Sequence, residues 1–165
     1  TEIPTVKQLL DRVPWPLLIN GTPAKMHGDL HFENILMAET GEFYLLDWRQ
    51  SFGGLTSYGD LYYDLAKLLH GLIVSHELVN KECYSVSHIG NIINYDLHRK
   101  HSLIENEAQF QRFLIANGHD VYKVRLLTSL IFLNIAPLHH EPYSKMLFYL
   151  GKESLYRLLE EKNVN

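Results

Sequence analysis

Asp29, Asn34 and Asp47 are an acid, an amide and a second acid set close together in the first third of the chain. They stand in Met26-His27-Gly28-Asp29-Leu30-His31-Phe32-Glu33-Asn34-Ile35-Leu36 and in Phe43-Tyr44-Leu45-Leu46-Asp47-Trp48. One carboxylate that receives or orients a hydroxyl, with two oxygen donors for a hard cation bridging nucleotide phosphates, is what phosphoryl transfer requires. The flanking residues show how these groups could be held. Ala24 to Met26 and Ile35 to Met37 are short apolar runs, so His27 to Asn34 is expected to be a loop between two short strands. Gly28 lets the backbone turn sharply beside the acid. Glu39-Thr40-Gly41-Glu42 reads as a hairpin turn, which returns Phe43 to Leu46 antiparallel and delivers Asp47 beside the loop. Asp29, Asn34 and Asp47 are therefore expected to converge.

Asp, Asn and Gly are also the commonest loop residues, so each of the three read alone is structural. The joint pattern is more specific: His-Gly-Asp-Leu-His, then Asn, then Ile-Leu, then Leu-Leu-Asp-Trp. It resembles the catalytic segment of the aminoglycoside phosphotransferase and choline kinase family, relatives of the protein kinases. The resemblance implies that Asp29 is the catalytic aspartate and that Asn34 and Asp47 are the magnesium ligands. It implies that His27 packs and hydrogen-bonds the loop, and that His31 approaches the transferred phosphate. Mg²⁺ and ATP (or GTP) are the implied cofactor and donor. A second block, Gly59-Asp60 through Tyr63-Asp64-Leu65-Ala66, also resembles the family, and Asp60 and Asp64 are read as structural, holding a helix against the loop. Two departures stand out: Phe32-Glu33 where the family usually has Pro-Gly, and Arg49 where relatives often have Glu.

The expected fold is α+β and mainly helical, the C-terminal lobe of a protein-kinase-like fold with short β-hairpins carrying the two loops. The 165 residues suit a single domain, 1–165, able to bury roughly 70% of the unfolded surface. A net charge of -4 without a basic cluster argues against nucleic-acid partners. Cys83 is the single cysteine, which suits a reducing cytoplasm. No run approaches the ~18 uninterrupted apolar residues of a membrane span; Leu126 to Leu138 is broken by Thr128, Ser129 and Asn134. No membrane partner is therefore expected.

Val6, Leu9, Leu10 and Val13 fall on one face of a helix over Thr5 to Val13, which Pro14-Trp15-Pro16 stops. Asp60 is placed to cap a helix whose buried stripe is Leu61, Leu65, Leu68, Leu69 and Leu72. Tyr84 to Leu97 alternates around Gly90-Asn91 as a hairpin, either a wall of an acceptor pocket or a packing element. Helices are expected over Glu105 to Asn117, Val121 to Ala136 and Tyr143 to Leu159. His139-His140-Glu141 reads as a solvated turn rather than a metal cluster.

The family's preceding lobe has a sheet, a phosphate-covering loop and a lysine–glutamate pair, and the residues before His27 contain no Gly-rich loop. The resemblance therefore covers the C-terminal lobe only. The nucleotide-clamping lobe is expected upstream in a longer polypeptide, and the start at Thr1 hints at a processed or excised piece. Two other readings stay open: a binding or regulatory module that keeps the fold without turnover, and a metal hydrolase using His27, Asp29 and His31. The acceptor is a small molecule with a hydroxyl. Choline would want aromatic faces, for which Trp48, Tyr58, Tyr62 and Tyr63 are available; a sugar or amino sugar is equally open.

Overall fold

α6 (Val121–Ile135) is the element on which the rest is packed. Its sequence is apolar almost all round, the pattern of a helix buried on several sides. Val124 and Ile131 meet Leu65, Ala66, Leu69 and Leu72 of α3 (Leu61–Ile73) and Phe110 and Leu114 of α5 (His101–Ala116). Phe132 joins Tyr143, Met146 and Leu147 of α7 (Tyr143–Asn163), and Leu126 joins Leu155 and Leu159 of the same helix. The computed structural model describes residues 2–163, so Thr1, which prompted the reading of an excised piece, lies outside them. The architecture is α+β and 53% helical, with small antiparallel sheets.

The polar breaks in α6 are satisfied rather than exposed. Thr128 donates to its own helix at Val124 O (2.9 Å) and lies 3.2 Å from Ala66 O of α3, while Ser129 donates to Arg125 O. With these breaks absorbed, Val121–Leu138 has a mean hydropathy of 1.4, long and apolar enough by composition to cross a membrane. Counting only uninterrupted runs had hidden that window. Its contacts with α3, α5 and α7 account for the apolar composition. Gly151 marks the closest approach of α7: a Cβ there would lie 2.9 Å from Phe132 Cβ and 3.0 Å from Ser129 O.

The N-terminal region differs from the sequence expectation in its breaks. α1 is Val6–Leu10 only, opened by a capping box between Thr5 and Gln8. Pro14-Trp15-Pro16 does not simply stop it. It starts a second short helix, α2 (Trp15–Ile19), because proline fits the first turn, where its missing N–H costs nothing. The expected strand at Ala24 to Met26 is instead β1 (Pro23–Ala24), and it pairs antiparallel with β4 (Gly59–Asp60) at the threshold of α3. A further short helix, α4 (His76–Asn80), follows α3.

The expected hairpins are both present. β2 (Ile35–Met37) pairs with β3 (Phe43–Leu45) with Leu36 opposite Tyr44, turning through Gly41 at φ +86°. β5 (Tyr84–Ile89) pairs with β6 (Ile92–Leu97) around Gly90-Asn91. Tyr84, Val86, Tyr95 and Leu97 of this second hairpin pack on Val74, Phe132 and α7, so its role is packing. His139, His140 and Glu141 are exposed, and Glu141 pairs with Lys145 at 2.7 Å.

Candidate active site

The loop carrying Asp29 is fastened to α3 by one carboxylate. Asp64, in the first turn of α3 and buried, accepts the His27 N–H at 2.6 Å and the Gly28 N–H at 2.8 Å. Charge-assisted bonds of this kind are about twice as strong as neutral ones. Asp60 caps the same helix, accepting from Tyr62 N, and also accepts from Thr22 N. The two acids thus tie the strand before the loop, and the loop itself, to one rigid element. Gly28 has to be glycine here: its φ is +81°, and a Cβ would lie 2.6 Å from Arg49 Cβ.

His27 is buried and holds the two loops together. Its Nδ1 accepts the Asp29 N–H at 3.2 Å, so Nε2 carries the proton and donates to Leu46 O at 2.6 Å. Both ring nitrogens are therefore engaged with backbone, which leaves no lone pair for a metal. Its ring also packs on Trp48, with centroids 5.0 Å apart. Leu46 N donates to Asn34 O, and Arg49 N donates to His27 O, each at 2.9 Å. Asp47 lies between these attachments, at φ 55°.

The side chains fall into two groups. Asp29, His31 and Asn34 form one: Asn34 Nδ2 donates to the main-chain carbonyl of Asp29 at 3.0 Å and lies 3.2 Å from His31 Nε2. His31 Nδ1 faces Glu33 at 2.7 Å, and its Nε2 is 3.8 Å from Asp29 Oδ2. The Asp47 carboxylate is exposed on the adjoining turn and, like Asn34 Oδ1, accepts nothing from the described residues. Among the described residues no group of three or more His, Cys, Asp and Glu side chains is arranged to hold a metal. That weighs against the hydrolase reading built on His27, Asp29 and His31.

Two residues at the centre were not read as site residues from the sequence: Lys67 went unnoticed, and Arg49 stood out only as a departure from the family pattern. Lys67 of α3, almost fully buried, places Nζ 2.8 Å from Asp29 Oδ1. Arg49, exposed, approaches Oδ2 at 3.2 Å. Burial would raise the Asp29 carboxyl, but the hydrogen bond and charge of Lys67, with His31 and Arg49 behind it, outweigh burial and hold it below the ordinary value. The signal for Lys67 was available. It stands three residues after Asp64, on the same face of α3, where a helix buried on that side has room for a lysine only if an acid meets it. Arg49 had no such signal, since its reach depends on the turn after Asp47.

Residues 2–80 match the model of the phosphotransferase enzyme family. The match bears out the resemblance to aminoglycoside phosphotransferases and choline kinases, and every side chain of the site falls inside it. It supports a kinase- or phosphotransferase-type enzyme. Comparison with curated proteins and with solved structures gave no match. In the phosphotransferase stretch the usual Pro-Gly is replaced by Phe32-Glu33, which here form a 3-10 turn, Phe32–Asn34. The Phe32 ring lies over Gly71, where a Cβ would come within 3.0 Å of it.

Proposed function

We propose that this chain is the catalytic lobe of a kinase-like phosphotransferase, moving the γ-phosphoryl group of ATP or GTP to a hydroxyl of a small molecule such as a sugar, amino sugar or choline-like alcohol. The observation that carries this reading is the state of Asp29. Its carboxylate is held ionised by Lys67 at Oδ1 and fixed through a loop bolted to α3, while Oδ2 faces the exposed Arg49 at 3.2 Å and His31 at 3.8 Å. A carboxylate oxygen has more than one acceptor direction, so Oδ2 can receive a substrate hydroxyl beside or in place of Arg49.

In the proposed step the hydroxyl donates to Asp29 as its oxygen forms a bond to the γ phosphorus. The bond from that phosphorus to the bridging oxygen breaks and the nucleoside diphosphate departs. The hydroxyl proton passes to the Asp29 carboxylate and from there to solvent. Depression of the Asp29 carboxyl makes it a better orienting group than a base, in keeping with a loose transition state that asks mainly for positioning. Asn34 Oδ1 and the Asp47 carboxylate fit a divalent hard cation, being oxygen donors without other partners among the described residues. Such a cation, when bound, offsets the charge of the transferring phosphoryl group.

A nucleotide-covering lobe in the same polypeptide and a cytoplasmic setting belong to the same proposal, the first on the phosphotransferase-family match and the second on the single Cys83. One observation favours a second reading. Both Asp29 oxygens already meet cations, as in a binding module that keeps the fold without turnover. A screen of hydroxyl acceptors with Mg²⁺ and ATP, on the polypeptide that carries this chain, separates the two. The phosphotransferase reading expects diphosphate release dependent on one acceptor and abolished in Asp47→Ala. Release that is absent with every acceptor, or unchanged in Asp47→Ala, overturns it.

A further inference from the structure

We propose that the cavity on the His31 side of Asp29 is the acceptor pocket, and that it takes an uncharged, polyhydroxylated ligand of about monosaccharide size. For the transfer itself this rests on the phosphotransferase reading; the binding claim stands on the cavity. About 290 Å³ in volume, it opens between the loop after Asp29 and the C-terminal turn of α3. His31, Glu33, His70, Ser75 and His76 line it. It adjoins the reacting centre through His31, whose Nε2 lies 3.8 Å from Asp29 Oδ2.

His70 decides what the cavity wants. It is 3% exposed, and neither ring nitrogen has a hydrogen-bond partner. Phe132 backs one side of the ring at 5.0 Å, and His76 stands edge-on at 6.4 Å. Leaving a buried donor or acceptor unmet costs about 1–3 kcal/mol each, and native structures rarely leave both ends of one side chain so. A neutral imidazole presents one donor and one acceptor. Two hydroxyls of one ligand answer both, one donating to the bare nitrogen and the other accepting from the N–H.

The charged side chains around the cavity already have partners within the protein, which favours neutral hydroxyls over an ion. Glu33 faces His31 at 2.7 Å and His76 at 3.3 Å, and Glu77 is paired with Lys81 and Lys100. Both Glu33 oxygens are occupied by imidazole nitrogens, and Glu77 and Lys100 offset each other. Phe32 is the one carbocyclic aromatic ring on the lining, too little for a quaternary ammonium cage. The cavity beside Trp48 and Tyr58, about 210 Å³, contains no buried side chain without a partner.

The test is histidine-ring NMR on the polypeptide that carries this chain, titrated with D-glucose, N-acetyl-D-glucosamine, myo-inositol and choline. At least one of the three hydroxylated probes is expected to move the His70 ring signals saturably, and choline is expected to leave them. His70→Leu should weaken that binding about tenfold or more, the loss of one to two hydrogen bonds. If His70→Leu does not fold, the wild-type titration alone decides. Failure of all three to move His70, movement by choline instead, or unchanged affinity in a folded His70→Leu each overturns the proposal. A probe that binds at His70 and is never phosphorylated keeps the pocket and removes the phosphotransferase reading. Phosphorylation of an acceptor that leaves His70 unmoved does the reverse.

Discussion

Lys67 Nζ lies 2.8 Å from Asp29 Oδ1, and the helix that supplies this lysine also supplies Asp64, which holds the backbone just before Asp29. One element therefore fixes both the position and the charge of the proposed catalytic acid. Neither partner is well hydrated: the Lys67 side chain is 11% exposed and that of Asp29 is 15% exposed. Removing either one strands the other.

Asp29→Asn and Lys67→Met should each lower stability in urea by about 1–3 kcal/mol, less than a fully buried pair because Asp29 reaches solvent on one side. The double variant should recover a good part of that loss, since no charge is then left alone. Additive losses in the double-mutant cycle would mean that the two groups do not depend on each other. Loss of activity in Asp29→Asn therefore has to be measured beside its stability, whereas Asp47→Ala strands no buried charge.

Asp47 tests the separation of strain from chemistry. At φ 55° it occupies the left-handed region that aspartate tolerates and glycine adopts freely. Asp47→Gly should shift thermal stability by no more than about 1 kcal/mol in either direction, yet abolish Mg²⁺-dependent transfer. Asp47→Asn keeps an oxygen but loses the charge, and should retain a trace of activity that rises with Mg²⁺ concentration. Full activity in Asp47→Gly would remove it from the metal site.

Much of this arrangement could be read from local pattern. The two hairpins announced themselves through alternation and turn residues, and the β2–β3 register follows directly from the Glu39–Glu42 turn. α3 followed from a cap at Asp60 and a leucine stripe. What stayed hidden was non-local. Nothing near Pro23 says that it pairs with Asp60, and the short helices α2 and α4 sit in stretches where proline, serine and histidine blur the period. The ion pair of Lys67 with Asp29 and the isolation of His70 depend on how α3 lies against the loop and against Phe132 of α6, information that no single segment contains.

Asp64 is predicted to matter through the backbone. Asp64→Ala removes the acceptor of two buried N–H groups, those of His27 and Gly28, and at about 1–3 kcal/mol for each unmet donor the fold should lose about 2–6 kcal/mol. Amide exchange at Gly28 and Asp29 should accelerate more than at the core positions of α6. Equal acceleration throughout would indicate global destabilisation only, and Asp64 would not be a specific fastening of the loop.

His70 gives the chain a calculable acid sensitivity. Burial, then the charges of Lys67 on its own helix, His76 on α4 and His31 on the loop, push it down to about 3, with Asp29 opposing them. The unfolded chain takes up a proton near the ordinary 6.5 while the folded chain refuses it until about 3. Stability from this group is therefore complete above 6.5 and falls as pH drops between the two values. The slope cannot exceed about 1.4 kcal/mol per pH unit for one proton. Replacing the ring by leucine removes both the titration and the two unmet nitrogens, so His70→Leu should match or exceed the wild type in stability at pH 7. Between pH 6 and pH 5 the wild type should lose about 1 kcal/mol more than the variant. Chemical denaturation at the two pH values measures the difference directly, and parallel losses in the two proteins would mean that the folded protein accepts the proton at His70.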